Sequence, residues 1–350
     1  LAPCRNLSEV VALVRRPDTA LRVVPASTKR PEGSSTDFLA LVKGHETAKR
    51  ALQVAASGGH HFLMVGPPGT GKTMLARSVV NLLPALRESQ ALEVAAVYSS
   101  AGLLRDAYDR VPFRDPHHSA SAPSIVGGGQ VAMPGEASLA HHGVLFLDEM
   151  PHFQPAVLNL LREPLESRQA TITRANYRVV FPARFQLIAA MNPCPAGRVC
   201  AEGRCRCTPR QVQGYQARVS GPLLDRIDMQ LWLPNLPTEL LADRSLPVSN
   251  TAELAGRVAA ARARQLQRQQ CLNGHLSGPV AAERAGMEAA AEALLTQAID
   301  RYHLSARSYH KVIKVGMTIG DLEAAETMSA AHIAEALSYR AVDWEAMVGQ

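Results

Sequence analysis

A glycine-rich run of eight residues restricts the fold more than any other feature of the chain. It follows a short apolar segment, 61–65, and leads into a helical pattern, which gives the order strand, loop, helix. In that context glycines let successive backbone N–H groups surround a phosphate, a lysine adds positive charge, and a threonine hydroxyl binds Mg²⁺. The run predicts a nucleoside-triphosphate site formed by Gly66, Pro67, Pro68, Gly69, Thr70, Gly71, Lys72 and Thr73.

A second apolar run, 144–147, ends in two acids, Asp148 and Glu149. The run is typical of a buried strand in a parallel sheet that carries helices on both faces. Asp148 is expected to hold Mg²⁺ through water, and Glu149 to polarise the attacking water during phosphoryl transfer. The alternative is a strand that simply ends in acidic loop residues.

A third predicted strand, 185–190, is followed by Asn192. Ligands of open α/β folds bind at the carboxyl edge of the sheet, so this amide is expected to orient water or touch the γ-phosphate. Asn before Pro193 is also an ordinary turn former, an alternative that the preceding motifs make less favoured here.

Arg226 lies among acids just before a further apolar run, 229–233. One interpretation is a local ion pair with Asp225 or Asp228. The other is a finger that reaches the γ-phosphate of a neighbouring subunit, where an arginine stabilises the charge of the transition state.

The order of these motifs resembles AAA+ ATPases. Several stretches are similar to the YifB/ComM family of magnesium-chelatase-like ATPases in particular: 42–52, 112–121, 127–129, 220–228 and 304–310. The resemblance covers nearly the whole chain. It implies a hexameric ring motor with Arg226 as the finger and Arg307 as a second phosphate sensor, and for relatives of the ComM kind it implies DNA branch migration during natural transformation.

The expected fold is an α/β AAA+ P-loop core with a parallel sheet, followed by a small all-helical lid domain. The resemblance also implies a Lon-like domain upstream, of which residues 1–25 would be the end. A polar stretch at 26–36 suits a linker. The ATPase core is placed at 37–235 and the lid at 236–350, after a Pro-containing break.

Composition agrees with a globular ATPase that acts on an anionic partner. Of the 350 residues, 47% are hydrophobic, and the net charge of +6 gives weak support to nucleic acid. No secretory core or bilayer-spanning run is visible, which predicts a cytoplasmic protein with no membrane partner.

Four cysteines follow Asn192 within a short loop: Cys194, Cys200, Cys205 and Cys207. Four thiolates are able to bind zinc in tetrahedral geometry, although the spacing differs from paired C-x-x-C motifs. Disulfides are the alternative, and a reducing cytoplasm disfavours them.

Histidines stand in pairs at 60–61, 117–118 and 141–142. Adjacent histidines on a strand or loop are expected to point apart, so polar loop or capping roles are preferred to metal binding.

The segment 170–181 consists of two β-rich runs and is expected to form a hairpin. In similar ring motors a hairpin at this place projects into the pore. Arg174, Tyr177 and Arg178 would then contact the phosphates and bases of DNA. A solvated hairpin without a ligand is the alternative.

Two functions therefore remain open at this point. The first is a ring ATPase and helicase motor that couples ATP and Mg²⁺ chemistry to DNA translocation or branch migration. The second is a motor of the magnesium-chelatase type, which remodels a partner protein without DNA. The basic hairpin favours the first.

Overall fold

The structure, a computed structural model, describes residues 36–105, 107–129, 131–174, 177–197, 205–237, 249–302 and 304–340. The expected Lon-like remnant and all of the expected linker except Thr36 lie outside these residues. The described residues from Asp37 onward belong to one compact unit.

The described residues contain a parallel sheet and a separate hairpin. The strands are β1 (Phe62–Val65), β2 (Phe113–Arg114), β3 (Val144–Leu147), β4 (Gln169–Arg174), β5 (Tyr177–Pro182), β6 (Gln186–Met191) and β7 (Met229–Trp232). The five-stranded sheet has the order β2-β3-β6-β1-β7, and each adjacent pair is parallel. The strand that leads into the glycine-rich loop is therefore an interior strand, between β6 and the edge strand β7.

Alternate residues of each strand enter two separate cores, one on each face of the sheet. In β1, Phe62 and Met64 pack on one face and Leu63 and Val65 on the other. All four side chains are fully buried. This explains the continuous apolar runs in the sequence, because a strand covered on both faces has no polar side.

Helices cover both faces. They are α1 (Phe38–Leu41), α2 (Glu46–Gly58), α3 (Lys72–Leu82), α4 (Glu88–Ser100), α5 (Ala122–Val126), α6 (Glu136–Leu139), α7 (Pro155–Leu160), α8 (Arg162–Ser167), α9 (Pro209–Gln216), α10 (Gly221–Leu224), α11 (Thr251–Gln269), α12 (Gly278–Arg284), α13 (Ala289–Tyr302), α14 (Ala306–Glu323) and α15 (Ala330–Ser338). The predicted α/β class, with a parallel sheet and a helical C-terminal region, is confirmed.

The C-terminal helices pack directly on the helices of the sheet region. Helices α11 and α14 contact α2, and their buried side chains belong to the same core as Phe62 and Met64. Arg50 of α2 also pairs with Glu323 and Glu335, which lie in α14 and α15. The division into a core and a lid at residues 235 and 236 stays a prediction.

Among the described residues, no helix is both long and apolar enough to cross a membrane.

Candidate functional site

The glycine-rich loop joins β1 to α3 and owes its shape to two different constraints. Gly69 and Gly71 have φ values of 80° and 81°, a left-handed conformation that glycine adopts most readily. Gly66 is required for another reason, because a Cβ there would lie 2.4 Å from the carbonyl oxygen of Leu233 after β7. The loop is thus packed against the end of a neighbouring strand.

Lys72 is the first residue of α3, and its ammonium group turns back into the loop. Its Nζ donates to the carbonyl oxygens of Gly66 and Pro67 at 2.8 and 2.7 Å and to Oδ1 of Asn192 at 3.2 Å. Burial lowers the pKa of Lys72 below its usual value, and the carboxylates of Asp148 and Glu149 oppose that effect. A buried cation at a helix N-terminus suits a phosphate.

Thr73 and Asp148 meet at the carboxyl edge of the sheet. The Thr73 hydroxyl donates to Oδ2 of Asp148 over 2.6 Å, and Oδ1 of the same carboxylate accepts from the backbone N–H of Glu149 at 2.9 Å. A hydroxyl and a carboxylate at one point are the oxygen ligands that Mg²⁺ prefers. The predicted pair of magnesium residues is therefore in contact.

Glu149 directly follows Asp148 in the chain. Its φ of 49° is left-handed, and about half of its side chain is exposed. Its carboxylate oxygen Oε2 lies 3.8 Å from Nδ1 of His118. An exposed carboxylate beside the magnesium residues is placed to polarise water.

Asn192 follows β6 at the same edge, and its loop lies on the glycine-rich loop. A Cβ at Gly197 would be 3.0 Å from Cδ of Pro68. The carbonyl oxygen of Pro193 accepts from Nε2 of Gln216 in α9 at 3.2 Å. Because Lys72 donates to its Oδ1, Asn192 lies beside the lysine of the glycine-rich loop.

Arg226 lies between α10 and β7 and contacts its own chain. Its guanidinium pairs with Glu166 of α8 and donates to the carbonyl oxygen of Pro222, which leaves 12% of the side chain exposed. The local ion pair is thus with Glu166 and not with Asp225 or Asp228. The sequence does not indicate that Glu166 is the partner, because 60 residues separate the two side chains.

The glycine-rich loop and Arg226 occupy opposite edges of the sheet. Strands β1 and β7 run parallel, with Phe62 opposite Met229. The loop follows the carboxyl end of β1, whereas Arg226 precedes the amino end of β7. A strand of four residues is roughly 13 Å long, so Arg226 is a full strand length from the loop of its own chain.

Arg307 lies in the first turn of α14, and its side chain is exposed. One turn later, Nζ of Lys311 donates to the carbonyl oxygens of Asp225 and Ile227, on either side of Arg226. Since one helical turn is about 5.4 Å, Arg307 lies one turn along α14 from the residue that binds the segment around Arg226.

A buried polar joint connects α14 to the segment that carries Arg226. Oδ1 of Asp228 lies 3.7 Å from Nζ of Lys311, and Arg340 donates to the carbonyl oxygens of Ile227 and Asp228 at 3.3 Å each. Burial lowers the pKa of Lys311 to about 8, against the pull of Asp228. Burial raises the pKa of Asp228. The charge of Lys311 and the interaction with His60 outweigh burial, so this pKa lies far below its usual range.

Three of the four predicted cysteine ligands lie together, and Cys200 lies outside the described residues. Sγ of Cys194 is 3.5 Å from Sγ of Cys205 and 3.9 Å from Sγ of Cys207. No disulfide joins these three cysteines.

The paired histidines lie closer together than expected. The rings of His141 and His142 have centroids 4.0 Å apart, and both Nε2 atoms lie within 2.9 Å of one Glu93 oxygen. The expectation that adjacent rings point apart is wrong here, because this shared carboxylate draws both rings to one side. His141 Nδ1 accepts from the backbone N–H of Arg184, which leaves the ring proton on Nε2 and favours a hydrogen bond to Glu93 over a metal.

The predicted hairpin is formed by β4 and β5. These strands are antiparallel from the pair Gln169 and Pro182 to the pair Arg174 and Tyr177. Arg178 is exposed on β5, opposite Thr173. The three residues proposed for DNA contact thus lie at the end of the paired strands opposite to Gln169 and Pro182.

Comparison with known proteins agrees with this arrangement. Residues 38–241 match the family model for magnesium chelatase, subunit ChlI, and residues 248–340 match the model for the C-terminal part of that subunit. YifB of Escherichia coli is 44% identical over 86% of this chain and 60% of its own length. Competence protein ComM of Haemophilus influenzae is 42% identical over 92% of this chain and 64% of its own length.

The chain thus spans less than two thirds of the length of these relatives. Lon protease 2 of Bacillus subtilis is a more distant relative, 31% identical over 44% of this chain and 32% of its own length. The two family models together include the glycine-rich loop, the paired acids, Asn192, Arg226 and Arg307. The chain belongs to the magnesium chelatase ChlI family and is a relative of YifB and ComM with an AAA+-like fold.

Proposed function

We propose that the chain is one subunit of a ring ATPase that couples ATP hydrolysis to movement along DNA. The observation that carries the proposal is the distance between two halves of one catalytic site. The phosphate residues gather at the carboxyl edge of the sheet, whereas Arg226 lies at the amino edge. A neighbouring copy is therefore needed to bring an arginine to the phosphates.

Within one copy, each residue has a defined task. Lys72 neutralises charge on the β- and γ-phosphates, and Thr73 and Asp148 hold Mg²⁺. The metal, when bound, stabilises negative charge on the phosphate oxygens. Glu149 and Asn192 orient the attacking water in line with the bond that breaks.

A neighbouring copy completes the site with Arg226 and Arg307. Both guanidinium groups carry a fixed positive charge. Arg226 precedes the amino end of β7, away from its own phosphate loop, and Arg307 is exposed one helical turn before Lys311, which binds the segment around Arg226. For this assignment Arg226 must leave Glu166 as the ring forms. The ring size proposed is six, on the basis of the family resemblance.

DNA is proposed as the partner because the hairpin carries Arg174, Tyr177 and Arg178 and the chain has a net charge of +6. One relative is named a competence protein. The cytoplasm is the proposed location. A structural zinc ion is a separate proposal, because the cysteines take no part in the ATP chemistry.

The second candidate is a motor that remodels a protein partner without DNA. The description of the matching family, a subunit of magnesium chelatase, supports it. The two candidates share the ATP site and differ only in what the ring acts on.

Hydrolysis rates with and without DNA separate these candidates. We expect single-stranded, duplex or forked DNA to raise the ATPase rate, and we expect DNA binding to weaken steeply with salt. A matched variant, Arg178→Ala, should lose this stimulation and keep the basal rate. If no DNA form stimulates hydrolysis or binds in a salt-dependent way, the protein-remodelling function is favoured.

Sizing the protein with a non-hydrolysable ATP analogue tests the ring itself. We expect an oligomer with the analogue, and forked DNA should stabilise it further. A protein that hydrolyses ATP as a strict monomer would contradict the shared site.

A further inference from the structure

The loop after β6 carries a cluster of thiols that the ATP chemistry does not use. The sulfurs of Cys194, Cys205 and Cys207 all lie within 4.8 Å of one another. Cys194 is buried and the other two are half-buried.

The spacing of the sulfurs suits a tetrahedral metal. A zinc ion with Zn–S bonds of about 2.3 Å separates its sulfur ligands by roughly 3.8 Å. The separations of 3.5 and 3.9 Å from Cys194 lie on either side of that value. A disulfide requires about 2.05 Å between sulfurs, so the cluster would have to contract to form one.

The same loop is in contact with the ATP site at several points. Cys194 is two residues after Asn192, and its carbonyl oxygen accepts from the N–H of Gly197 at 2.9 Å. Gly197 lies against Pro68 of the phosphate loop. Cys207 directly precedes Thr208, whose side chain caps α9.

Helix α9 connects the second end of the loop back to the residue that follows Asn192. Gln216, its last residue, donates to the carbonyl oxygen of Pro193, next to Asn192. A bond from one metal ion to both Cys194 and Cys207 would therefore fix both ends of the loop after β6. It would also fix the backbone of Asn192.

We propose that Cys194, Cys205 and Cys207 bind a structural zinc ion that holds Asn192 against the phosphate loop. Three thiolates occupy three corners of the tetrahedron. We assign the fourth corner to no residue, because Cys200 lies outside the described part of the chain. In this proposal the metal fixes the backbone that carries Asn192. The cysteines are therefore positioning residues.

Metal analysis of the protein purified under reducing conditions tests the site directly. We expect about one zinc per chain, and we expect Cys205→Ser and Cys207→Ser each to lower that content to below half. Cys271→Ser is the matched control and should keep the metal, since Cys271 lies outside the cluster. Less than half an equivalent of zinc in the unaltered protein, or a disulfide within the cluster, overturns the site.

Cobalt substitution provides a measurement that does not depend on folding of the variants. We expect the cobalt form of the unaltered protein to show intense charge-transfer absorption from thiolate ligands, and zinc to displace it. Weak absorption, typical of oxygen or nitrogen ligands, contradicts the assignment.

The link to Asn192 is tested by steady-state kinetics. We expect Cys207→Ser to lower kcat by roughly tenfold to a hundredfold, because a small displacement of a positioned group has that effect, while the Kd for ATP changes little. Cys207→His keeps a zinc ligand and should restore both zinc and kcat. Equal kcat with and without zinc refutes the link, whereas loss of DNA stimulation alone concerns the proposed function and leaves the zinc site standing.

Discussion

The hydroxyl of Thr73 and the carboxylate of Asp148 share a hydrogen bond of 2.6 Å, although 75 residues separate them in the chain. The two residues come from the first turn of α3 and from the end of β3, which meet at the carboxyl edge of the sheet. This contact marks the position of the metal in the proposed ATP site.

Replacing Asp148 by Asn should remove magnesium-dependent hydrolysis without unfolding the chain. The amide keeps a hydrogen-bond acceptor for Thr73 but loses the charge that holds Mg²⁺, so we expect kcat to fall roughly 100-fold or more. ATPase rates measured over a series of magnesium concentrations check this. Asp300→Asn on the exposed face of α13 is the control, and an equal loss in both variants would contradict the assignment.

Glu149→Gln should bind ATP and fail to turn it over. The side chain is half exposed and does not contact Lys72 or Thr73, so its amide should leave nucleotide affinity within about twofold, while the water is no longer polarised. Fluorescent-nucleotide binding and single-turnover hydrolysis measure the two effects separately. Glu292→Gln in α13 provides the control, and hydrolysis by Glu149→Gln at the unaltered rate rules out the role.

Because Arg226 and Glu166 form an ion pair, we expect substitutions of the two residues to have opposite effects on ATP hydrolysis. Arg226→Ala should abolish hydrolysis while the nucleotide affinity of the monomer is kept. Glu166→Gln removes a competitor for Arg226, so hydrolysis should be retained and should reach half of its maximum at a lower protein concentration. ATPase rate against protein concentration measures both. A Glu166 variant as inactive as Arg226→Ala would show that the pair itself is needed.

Gly66 and Gly256 should respond in opposite ways to alanine. A Cβ at Gly66 would lie 2.4 Å from the oxygen of Leu233, which is backbone and cannot rotate away, so we expect a loss of about 1–3 kcal/mol of stability and of ATP binding. Gly256 has open space in an exposed part of α11, and alanine there should add roughly 0.5–1 kcal/mol. Urea denaturation measures both changes. Equal stability of the two variants would show that the close approach to Leu233 is unimportant.

Stability should decrease as the pH falls from about 6.5 to about 4. Burial lowers the pKa of His61 to about 4 and that of His141 to about 4, both from 6.5. Between these values the unfolded chain binds protons that the folded chain does not, so the free energy of unfolding decreases on acidification. Urea midpoints at several pH values check the slope, and His61→Asn should make it shallower. A urea midpoint that rises on acidification over this range would contradict the prediction.

Much of the site was predictable because parallel strands bring their carboxyl ends to one edge. Each buried strand appears in the sequence as an apolar run, and the residues after it, Lys72, Asp148 and Asn192, must meet there. The left-handed glycines of the loop follow from the same pattern.

Contacts between distant segments without a shared pattern were not predictable. The pairing of Arg226 with Glu166 depends on how α8 packs beside α10, and nothing in either segment encodes that packing. The role of Lys311 was missed for the same reason. Its position four residues after Arg307, on the same face of α14, is the one sequence signal that pointed to it.

Lys311 and Arg340 together bind the carbonyl oxygens of Asp225, Ile227 and Asp228. Because these bonds are to the backbone, they couple the position of the segment around Arg226 to Lys311 of α14 and to Arg340, which follows α15. A rotation of the C-terminal helices would therefore also displace the guanidinium of Arg226. In the proposed ring, the same coupling would connect the conformation of the C-terminal helices in one subunit to the nucleotide bound by its neighbour.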